Sequence, residues 1–204
     1  QRIVILGGGF GGLTVARELR ARLAGEHEVV LVDRQPTFRM GFRKIWLLVG
    51  RSRPDAGTRS REALRALGVR YVEAEVTRID PGGRVVDTTG PRLEWDRLVV
   101  ALGADPRPDR VPGFSEAPRA YNLYDAGSVL EARAALEALE AGRLLVSILG
   151  LPYKCPPAPY EACLLLDDYL LERGRRQRVE VTVTTPQPSS LPMVGPQGCQ
   201  AIEG

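Results

Sequence analysis

A glycine-rich turn near the start of the chain has the residue types and the spacing that bind a pyrophosphate group. The segment Gly7–Gly12 has the sequence GGGFGG and contains the pattern GxGxxG. Gly7 permits a tight turn, Gly9 lets a phosphate approach the backbone, and Gly12 lets a helix pack closely against the preceding strand. The first N–H groups of that helix would face the phosphate. The turn therefore predicts a dinucleotide site, and a glycine turn without a ligand is the alternative.

The elements around this turn are those of a strand–helix–strand unit. Residues 2–6 and 28–33 are apolar runs typical of buried strands, and apolar residues recur at helical spacing over residues 11–24. Asp33 ends the second strand, where a carboxylate accepts hydrogen bonds from ribose hydroxyls. These residues fit NAD and FAD equally well.

A second candidate site is a single cysteine in a proline-rich segment. Gly150–Glu161 has the sequence GLPYKCPPAPYE and follows a strand predicted over residues 143–149. Its prolines lack N–H groups and the further glycines of a dinucleotide turn are missing, so the segment is no ordinary pyrophosphate cradle. Cys155 lies beside Lys154 and before a helix predicted from about Tyr160, and both features favour a thiolate. The alternative is a proline-rich turn with a buried, inert cysteine.

The remaining pattern predicts an α/β fold in two parts. Residues 36–56 show little periodicity, and a proline-rich stretch over residues 104–118 marks a boundary. The other predicted elements are a helix over 59–67, strands over 69–79, 84–88, 93–95 and 98–102, helices over 125–141 and 160–173, and a strand over 179–184. We therefore predict a Rossmann-like dinucleotide-binding domain with a β-meander over residues 1–110. Part of a second Rossmann-like domain follows over residues 111–204.

Composition excludes several classes of protein. Hydrophobic residues make up 44% of the 204 residues and charged residues 26%, which is typical of a globular chain. Apolar runs such as Ile45–Val49 are far shorter than the ~20 residues of a membrane helix, and no secretory leader is expected. Three cysteines are too few for a disulfide scaffold, and His27 as the single histidine argues against a metal site.

The charge is distributed unevenly along the chain. Residues 1–110 contain 20 basic and 14 acidic residues, a net charge of +6, and the remainder contains 8 and 11, a net charge of −3. The total of +3 is too small to indicate nucleic-acid binding. The basic excess indicates either a solvated surface or a few contacts to phosphate or anionic lipid.

One segment favours FAD over NAD. Trp95–Ala104, followed by prolines at 106, 108 and 112, resembles a hallmark of flavoproteins with two dinucleotide-binding domains. The resemblance implies that residues 101–103 and the Val76 backbone lie against FAD. Arg34 is placed either to stack on the adenine or to remain exposed. The residues predicted to bind FAD are Gly7, Gly9, Phe10, Gly11, Gly12, Asp33, Arg34, Lys44, Val76, Ala101, Leu102 and Gly103.

The cysteine segment carries the most specific resemblance. CPPAPYE over Cys155–Glu161 resembles the active-site signature of sulfide:quinone oxidoreductases and of the flavoprotein subunit of flavocytochrome c sulfide dehydrogenases. Residues 166–170 and Leu191-Pro192 resemble the same group. The resemblance implies that Cys155 forms a redox disulfide at the flavin, that sulfide attacks it to give a persulfide, and that a thiolate passes two electrons to the flavin.

The chain also departs from that group. Its members are about twice as long and take the partner cysteine from their other half, so we expect an N-terminal portion of such a protein. Cys163 is predicted to lie on a helix facing the core and is a poor partner, whereas Cys199 remains open. Some relatives attach FAD through a cysteine near residues 36–45. None is present here, so we expect non-covalent FAD, with Phe38, Met40, Arg43 and Lys44 as the candidate contacts in this segment.

The leading hypothesis is an FAD-dependent sulfide dehydrogenase that passes electrons to quinone or cytochrome. A non-catalytic FAD-binding remnant and a type II NADH-dehydrogenase-like enzyme are the alternatives, the latter disfavoured by the missing second glycine turn. A small sulfur substrate is expected, and no nucleic acid. The resemblance allows peripheral membrane contact through a missing C-terminal region and a homo-oligomer, and we expect a cytoplasmic location or one at the inner membrane.

Overall fold

A computed structural model describes residues 1–203, so the end of the second predicted domain, Gly204, lies outside the described residues. The chain forms two compact units. The first contains Gln1–Met40 and Gly57–Asp105, and the second contains Gly41–Ala56 and the residues from Pro106 onwards. The predicted division after residue 110 stays a prediction.

The described residues form strands and helices in an alternating order. The strands are β1 (Arg2–Leu6), β2 (Glu28–Asp33), β3 (Thr37–Arg39), β4 (Thr58–Ser60), β5 (Val69–Glu73), β6 (Val76–Asp80), β7 (Val85–Thr88), β8 (Leu93–Glu94), β9 (Arg97–Val100), β10 (Gly142–Ser147) and β11 (Val179–Thr184). The α-helices are α1 (Phe10–Arg22), α2 (Lys44–Leu48), α3 (Ala126–Glu137), α4 (Ala158–Glu172) and α5 (Gly195–Glu203). Short 3-10 helices cover Gly41–Arg43, Arg61–Leu67, Pro108–Arg110, Arg176–Arg178 and Pro192–Val194.

A four-stranded parallel sheet forms the centre of the first unit. Its order is β5-β2-β1-β9, with every pair parallel. Both faces of β1 are covered, which is why Val4, Ile5 and Leu6 are all apolar and fully buried. Helix α1 packs Ala16 against the sheet. β1 is parallel to its neighbours β2 and β9, so the glycine turn that follows β1 lies at the carboxyl edge of the sheet. Folds of this kind bind nucleotides at that edge.

A separate antiparallel sheet, β6-β7-β8, confirms the predicted β-meander. The prediction of one strand over residues 69–79 was wrong. β5 ends at Glu73 with a last ladder bond, from Ala74 N–H to the Asp33 carbonyl, and Glu75 N–H then bonds to the Thr89 hydroxyl outside the parallel sheet. The chain then re-enters a sheet as β6.

The second unit contains a parallel pair of strands, β10 and β11, in register over six residues and connected through α4. Its largest core cluster includes Leu47, Val129, Leu136, Leu166 and Leu170, which come from α2, α3 and α4. A mixed α/β fold with a Rossmann-type parallel sheet is thereby confirmed.

Some predicted elements have different boundaries in the structure. The helix expected over residues 59–67 begins as β4 and continues as a 3-10 helix, and the helix expected over residues 125–141 ends at Glu137. The strand expected over residues 98–102 ends at Val100. The poorly periodic residues 36–56 contain β3, a 3-10 helix and α2.

None of the helices formed by residues 1–203 has the length and apolar character needed to cross a membrane.

Candidate functional site

Two glycines of the turn are required by the backbone itself. Gly7 has φ +96°, and a Cβ there would lie 2.3 Å from the Ala101 carbonyl oxygen. A Cβ on Gly12 would lie 1.8 Å from the Gly7 carbonyl oxygen. Both neighbouring atoms are backbone and cannot move aside, so these positions need glycine for the fold.

Gly9 faces open space instead. No atom lies within 4 Å of the position a Cβ would take, although the backbone (φ −82°, ψ −166°) would accept any residue. Gly9 is the N-cap of α1 and has no side chain with which to cap that helix. A phosphate can therefore approach the backbone here, at the positive end of the α1 dipole.

The aromatic residue of the turn packs against β3, which follows β2 and pairs antiparallel with β4. Phe10 is half-exposed, and its ring meets the Phe38 ring edge-on at 5.1 Å between centroids. A Cβ on Gly11 would make an ordinary van der Waals contact with Ala101 Cβ, at 3.7 Å. These contacts position the first residues of α1 next to the open backbone at Gly9.

Asp33 ends β2 beside the turn, as predicted. Its Oδ2 accepts a hydrogen bond from Gly8 N–H at 2.6 Å, and its Oδ1 accepts one from Gln35 N–H at 2.8 Å. The side chain is 16% exposed, and each carboxylate oxygen has a further lone pair. Asp33 can therefore still accept a ribose hydroxyl. The open Gly9 backbone, the N-terminal end of α1 and this carboxylate together fit the diphosphate and ribose of FAD.

The other predicted cofactor residues of the first unit lie near its strand ends. Ala101 N–H continues the sheet by bonding to the Leu6 carbonyl at 2.8 Å, and Leu102 and Gly103 (φ +74°) follow as exposed residues. Val76 opens β6 and is half-buried. Arg34 is 57% exposed and pairs with carboxylates of the same unit, so the choice between stacking and a surface role stays open.

Lys44 belongs to the second unit. It begins α2, and its Nζ donates a hydrogen bond to the Tyr124 carbonyl. Arg43 precedes it, with its guanidinium over the Trp46 ring at 5.8 Å. Phe38 and Met40 belong to the first unit. Contact of these residues with FAD stays a prediction.

The cysteine loop connects β10 to α4. Cys155 is half-buried and has φ +55°, a left-handed conformation that non-glycine residues adopt uncommonly. It packs against the small apolar cluster of Ile45, Ala158 and Ala162. Its carbonyl accepts a hydrogen bond from Ala158 N–H at 2.9 Å, which ties it to the first turn of α4. The loop thus holds one thiol in a defined, strained backbone position.

Tyr124 fixes the residue before the cysteine. Its hydroxyl donates to the Lys154 carbonyl, while its own carbonyl accepts from Lys44. Burial, followed by the proximity of Cys155 and Tyr153, raises the pKa of Tyr124 to about 12. Tyr124 therefore stays a neutral hydrogen-bond donor next to the thiol over the physiological range. The prediction that Lys154 and the helix favour a Cys155 thiolate stays a prediction.

The start of α4 is unsuited to a phosphate. Pro156, Pro157 and Pro159 have no N–H, and Ala158 N–H already bonds to Cys155. Glu161 adds a carboxylate to the first turn. An anion that bound at this helix end would meet few donors and a like charge.

The other two cysteines are placed differently. Cys163 lies on α4 and packs against the core, as predicted, and burial raises its pKa to about 11. Cys199 was expected in a glycine- and proline-rich tail, but it is buried on α5, where its Sγ contacts the Leu191 carbonyl at 3.7 Å. All three cysteines are free thiols in residues 1–203.

A family model described as pyridine nucleotide-disulphide oxidoreductase matches residues 1–146, which include the glycine turn, the parallel sheet and β-meander, and most of β10. The chain belongs to this family. Its members are FAD-dependent oxidoreductases, so the FAD prediction is confirmed, while non-covalent attachment stays a prediction. The family match ends before the cysteine loop, which therefore needs evidence of its own.

Individual relatives of this family extend the similarity beyond residue 146. The mitochondrial sulfide:quinone oxidoreductase of Mus musculus is 25% identical over 189 residues, 90% of this chain and 41% of that protein. The alternative NAD(P)H-ubiquinone oxidoreductase C1 of Arabidopsis thaliana is 31% identical over 203 residues, 89% of this chain and 38% of that protein. The resemblance to sulfide:quinone oxidoreductases is thus confirmed, beside one to NAD(P)H enzymes.

A solved structure supports the same fold. The sulfide:quinone oxidoreductase of Aquifex aeolicus superposes with a TM-score of 0.84 at 24% identity, covering 100% of this chain and 48% of that one. The chain spans about two fifths to one half of the length of these relatives. The chain is similar both to enzymes named for sulfide and to enzymes named for NAD(P)H. Overall similarity therefore does not identify the electron donor, and the cysteine loop is the feature that bears on it.

Two residues of these sites were not found from the sequence. Arg61 is buried beside the glycine turn, and Tyr124 braces the cysteine loop. Arg61 lies 53 residues from its partner Gly8, and Tyr124 lies 30 residues from Lys154. No local pattern connects residues at such separations.

Proposed function

We propose that the protein is an FAD-dependent oxidoreductase that oxidises sulfide, or a related sulfur species, through Cys155. In this proposal the electrons pass through the flavin to a quinone or a cytochrome. The observation that carries the proposal is the cysteine loop. At the strand-to-helix connection of the second unit, where a glycine turn would bind a second dinucleotide, the chain has prolines and a half-buried thiol.

The neighbours of Cys155 support a role in positioning sulfur. Tyr124 holds the Lys154 carbonyl on one side, and Ala158 N–H holds the Cys155 carbonyl on the other. Prolines on either side restrict the backbone further, so little entropy remains to be lost when the thiol reacts. A sulfur atom held in this way suits repeated attack by a small nucleophile.

The proposed chemistry begins from a disulfide between Cys155 and a partner cysteine, which the longer proteins that this chain resembles take from their other half. Hydrosulfide attacks the Cys155 sulfur, the S–S bond breaks, and a Cys155 persulfide forms as the partner leaves as a thiolate. The sulfide sulfur is oxidised to the zero-valent state as the disulfide is reduced. The partner sulfur then bonds to the outer sulfur of the persulfide, and an electron pair leaves together with the persulfide proton. FAD, when bound, would supply the acceptor for these two electrons and this proton, and a quinone or a cytochrome would reoxidise the flavin.

The relatives guide the choice of electron acceptor. The Mus musculus protein is named a sulfide:quinone oxidoreductase and the Arabidopsis protein an NAD(P)H-ubiquinone oxidoreductase. Quinones dissolve in the membrane, so a quinone acceptor implies peripheral membrane contact. We favour quinone over cytochrome on this similarity.

Anaerobic reduction of the FAD-loaded protein tests the proposal. We expect sulfide to bleach the visible flavin absorbance and NADH to leave it unchanged. The variant Cys155→Ser should bind FAD normally and lose bleaching by sulfide, whereas Cys163→Ala, a matched cysteine outside the loop, should keep it. Retained bleaching in Cys155→Ser would refute the assignment of the cysteine.

The same experiment separates the alternatives. The second candidate function is oxidation of NADH, which the similarity to NAD(P)H enzymes favours. Bleaching by NADH with no response to sulfide would establish that function instead. A protein that binds FAD and responds to neither reductant would be a non-catalytic remnant.

A further inference from the structure

A buried arginine contacts the backbone of the glycine turn. Arg61 is 6% exposed and starts the 3-10 helix that follows β4. Its Nη2 and Nε donate to the Gly8 carbonyl at 2.8 and 3.1 Å, and its Nη1 donates to the carbonyls of Gln35, at 2.5 Å, and Thr37. One guanidinium therefore joins the turn after β1 to the segment after β2.

The same arginine pairs with the carboxylate beside the turn. Arg61 Nη2 lies 3.4 Å from Asp33 Oδ2, the oxygen that accepts Gly8 N–H. Both backbone groups of Gly8 are thus bonded within the protein, the N–H to Asp33 and the carbonyl to Arg61. This arrangement fixes the orientation of the two peptide groups that flank Gly8. It leaves the open face at Gly9 for an anion.

Arg61 is too buried to bind a phosphate directly, as an exposed arginine can. Its side chain lies against Gly8, where a Cβ would come within 2.3 Å of Nε. Beyond the turn it reaches the antiparallel pair of β3 and β4, whose Phe38 contacts Phe10 at the start of α1. Arg61 and this aromatic pair therefore both connect the β3–β4 pair to the turn.

We propose that Arg61 is a positioning residue for FAD binding. By holding the two peptide groups that flank Gly8, one through Asp33 and one through its own guanidinium, it keeps the open backbone at Gly9 directed at the diphosphate. The proposal rests on the FAD site and not on sulfide oxidation, so either can fail without the other. The planar fork of arginine donates to several carbonyls at once, which the single ammonium of lysine cannot reproduce in the same geometry.

Titration of FAD into the FAD-depleted protein tests this role. We expect Arg61→Met to raise the Kd for FAD at least about tenfold, which corresponds to about 1.4 kcal/mol, at a temperature where circular dichroism shows the variant folded. Arg61→Lys should fail to restore affinity. Arg65→Met, on the same 3-10 helix but exposed and paired with Glu62, is the matched control and should bind FAD like the parent.

The same titration distinguishes a positioning role from a purely structural one. If Arg61 only stabilised the fold, Arg61→Met would lower the melting temperature of the FAD-free protein while its folded form kept the parental Kd. That result would overturn the proposal. Parental affinity in a folded Arg61→Lys would also overturn it, because charge alone would then suffice.

A second variant keeps the test decisive if Arg61→Met does not fold. Gly8→Ala leaves the arginine in the chain but displaces its guanidinium, since the new Cβ would overlap Nε. We expect Gly8→Ala to weaken FAD binding at least about tenfold as well. A folded Gly8→Ala protein with the parental Kd would contradict the proposal.

Discussion

The two strand-to-helix connections of the molecule differ in what they leave available. After β1, the chain has glycines, an N-cap without a side chain, and no acidic residue in the first turn of α1. After β10, it has prolines, a cysteine and Glu161 in the first turn of α4. The first connection presents backbone donors to an anion, and the second withholds them and presents a thiol.

The difference shows how a common supersecondary unit can take on different chemistry. Both connections follow a strand of a parallel sheet and lead into a helix of at least 13 residues. Phosphate binding depends on free N–H groups and close backbone approach, so a few prolines are enough to remove it. The local sequence after each strand therefore determines whether the connection presents backbone donors or a thiol. Substitutions at single positions should test each connection.

The largest effect is expected for Gly12→Ala. The added Cβ would lie 1.8 Å from the Gly7 carbonyl oxygen, so α1 would have to move away from β1. We expect loss of cooperative thermal unfolding, or a melting temperature lowered by far more than in Gly25→Ala, where no atom lies within 4 Å of the new Cβ. Equal melting temperatures for the two variants would show that the close packing described here is wrong.

Gly9→Ala should separate cofactor binding from folding. Its Cβ meets no protein atom, so we expect an unchanged melting temperature for the FAD-free protein. The methyl group would occupy the face that a phosphate approaches, and the Kd for FAD should rise at least about tenfold. Gly150→Ala, at the equally open glycine after β10, is the control and should bind FAD normally.

Alkaline pH should reveal the titration of Cys163, the partly buried cysteine of α4. Since burial raises the pKa of Cys163 from 9.0 to about 11, the folded protein keeps this proton over a pH range in which the unfolded chain loses it. Stability should therefore be retained below about pH 9 and decline as the pH rises towards 11. Cys163→Ala should reduce that decline, measured by denaturant unfolding at several pH values.

The raised pKa also predicts slow alkylation of Cys163. At pH 8 about 0.1% of this thiol would be ionised, and each added pH unit should speed alkylation about tenfold up to the pKa. Peptide mass spectrometry after a timed iodoacetamide pulse measures the rate. Rapid labelling of Cys163 at pH 8 in the folded protein would contradict the burial described here.

The smallest effect is expected for Tyr124→Phe. The substitution removes the hydroxyl that bonds to the Lys154 carbonyl, one neutral hydrogen bond of about 1 kcal/mol. We expect a few-fold change in the rate at which sulfide bleaches the flavin and an unchanged Kd for FAD. Tyr121→Phe, in a different cluster of the same unit, should leave the rate unaltered; equal rates in both variants would remove Tyr124 from the cysteine site.

Much of the cofactor turn could be predicted from the sequence because its requirements are local. The glycines, the buried strands and Asp33 all lie within residues 2–33, and each follows from a simple steric or hydrogen-bonding rule. The β2 boundaries and the β11 boundaries agree with the structure for the same reason, since short β-branched runs lie between clear breaks.

The parts that could not be predicted depend on contacts between distant residues. Arg61 resembles any other arginine of a basic surface until folding brings Gly8, Gln35 and Thr37 around it. The break between β5 and β6 likewise involves a distant residue, Thr89, whose hydroxyl accepts from Glu75 N–H and whose N–H donates to the Glu75 carbonyl. Alternation along the strand does not encode these bonds.

The role proposed for Cys155 is tested most directly by finding where the sulfur of the substrate becomes bound. The FAD-loaded protein is treated anaerobically with one equivalent of isotopically labelled sulfide, and peptides are mapped by mass spectrometry while flavin absorbance is followed. We expect bleaching to be accompanied by one labelled sulfur atom on the peptide that contains Cys155. A bleached flavin with no label on Cys155 would contradict the role proposed for this cysteine.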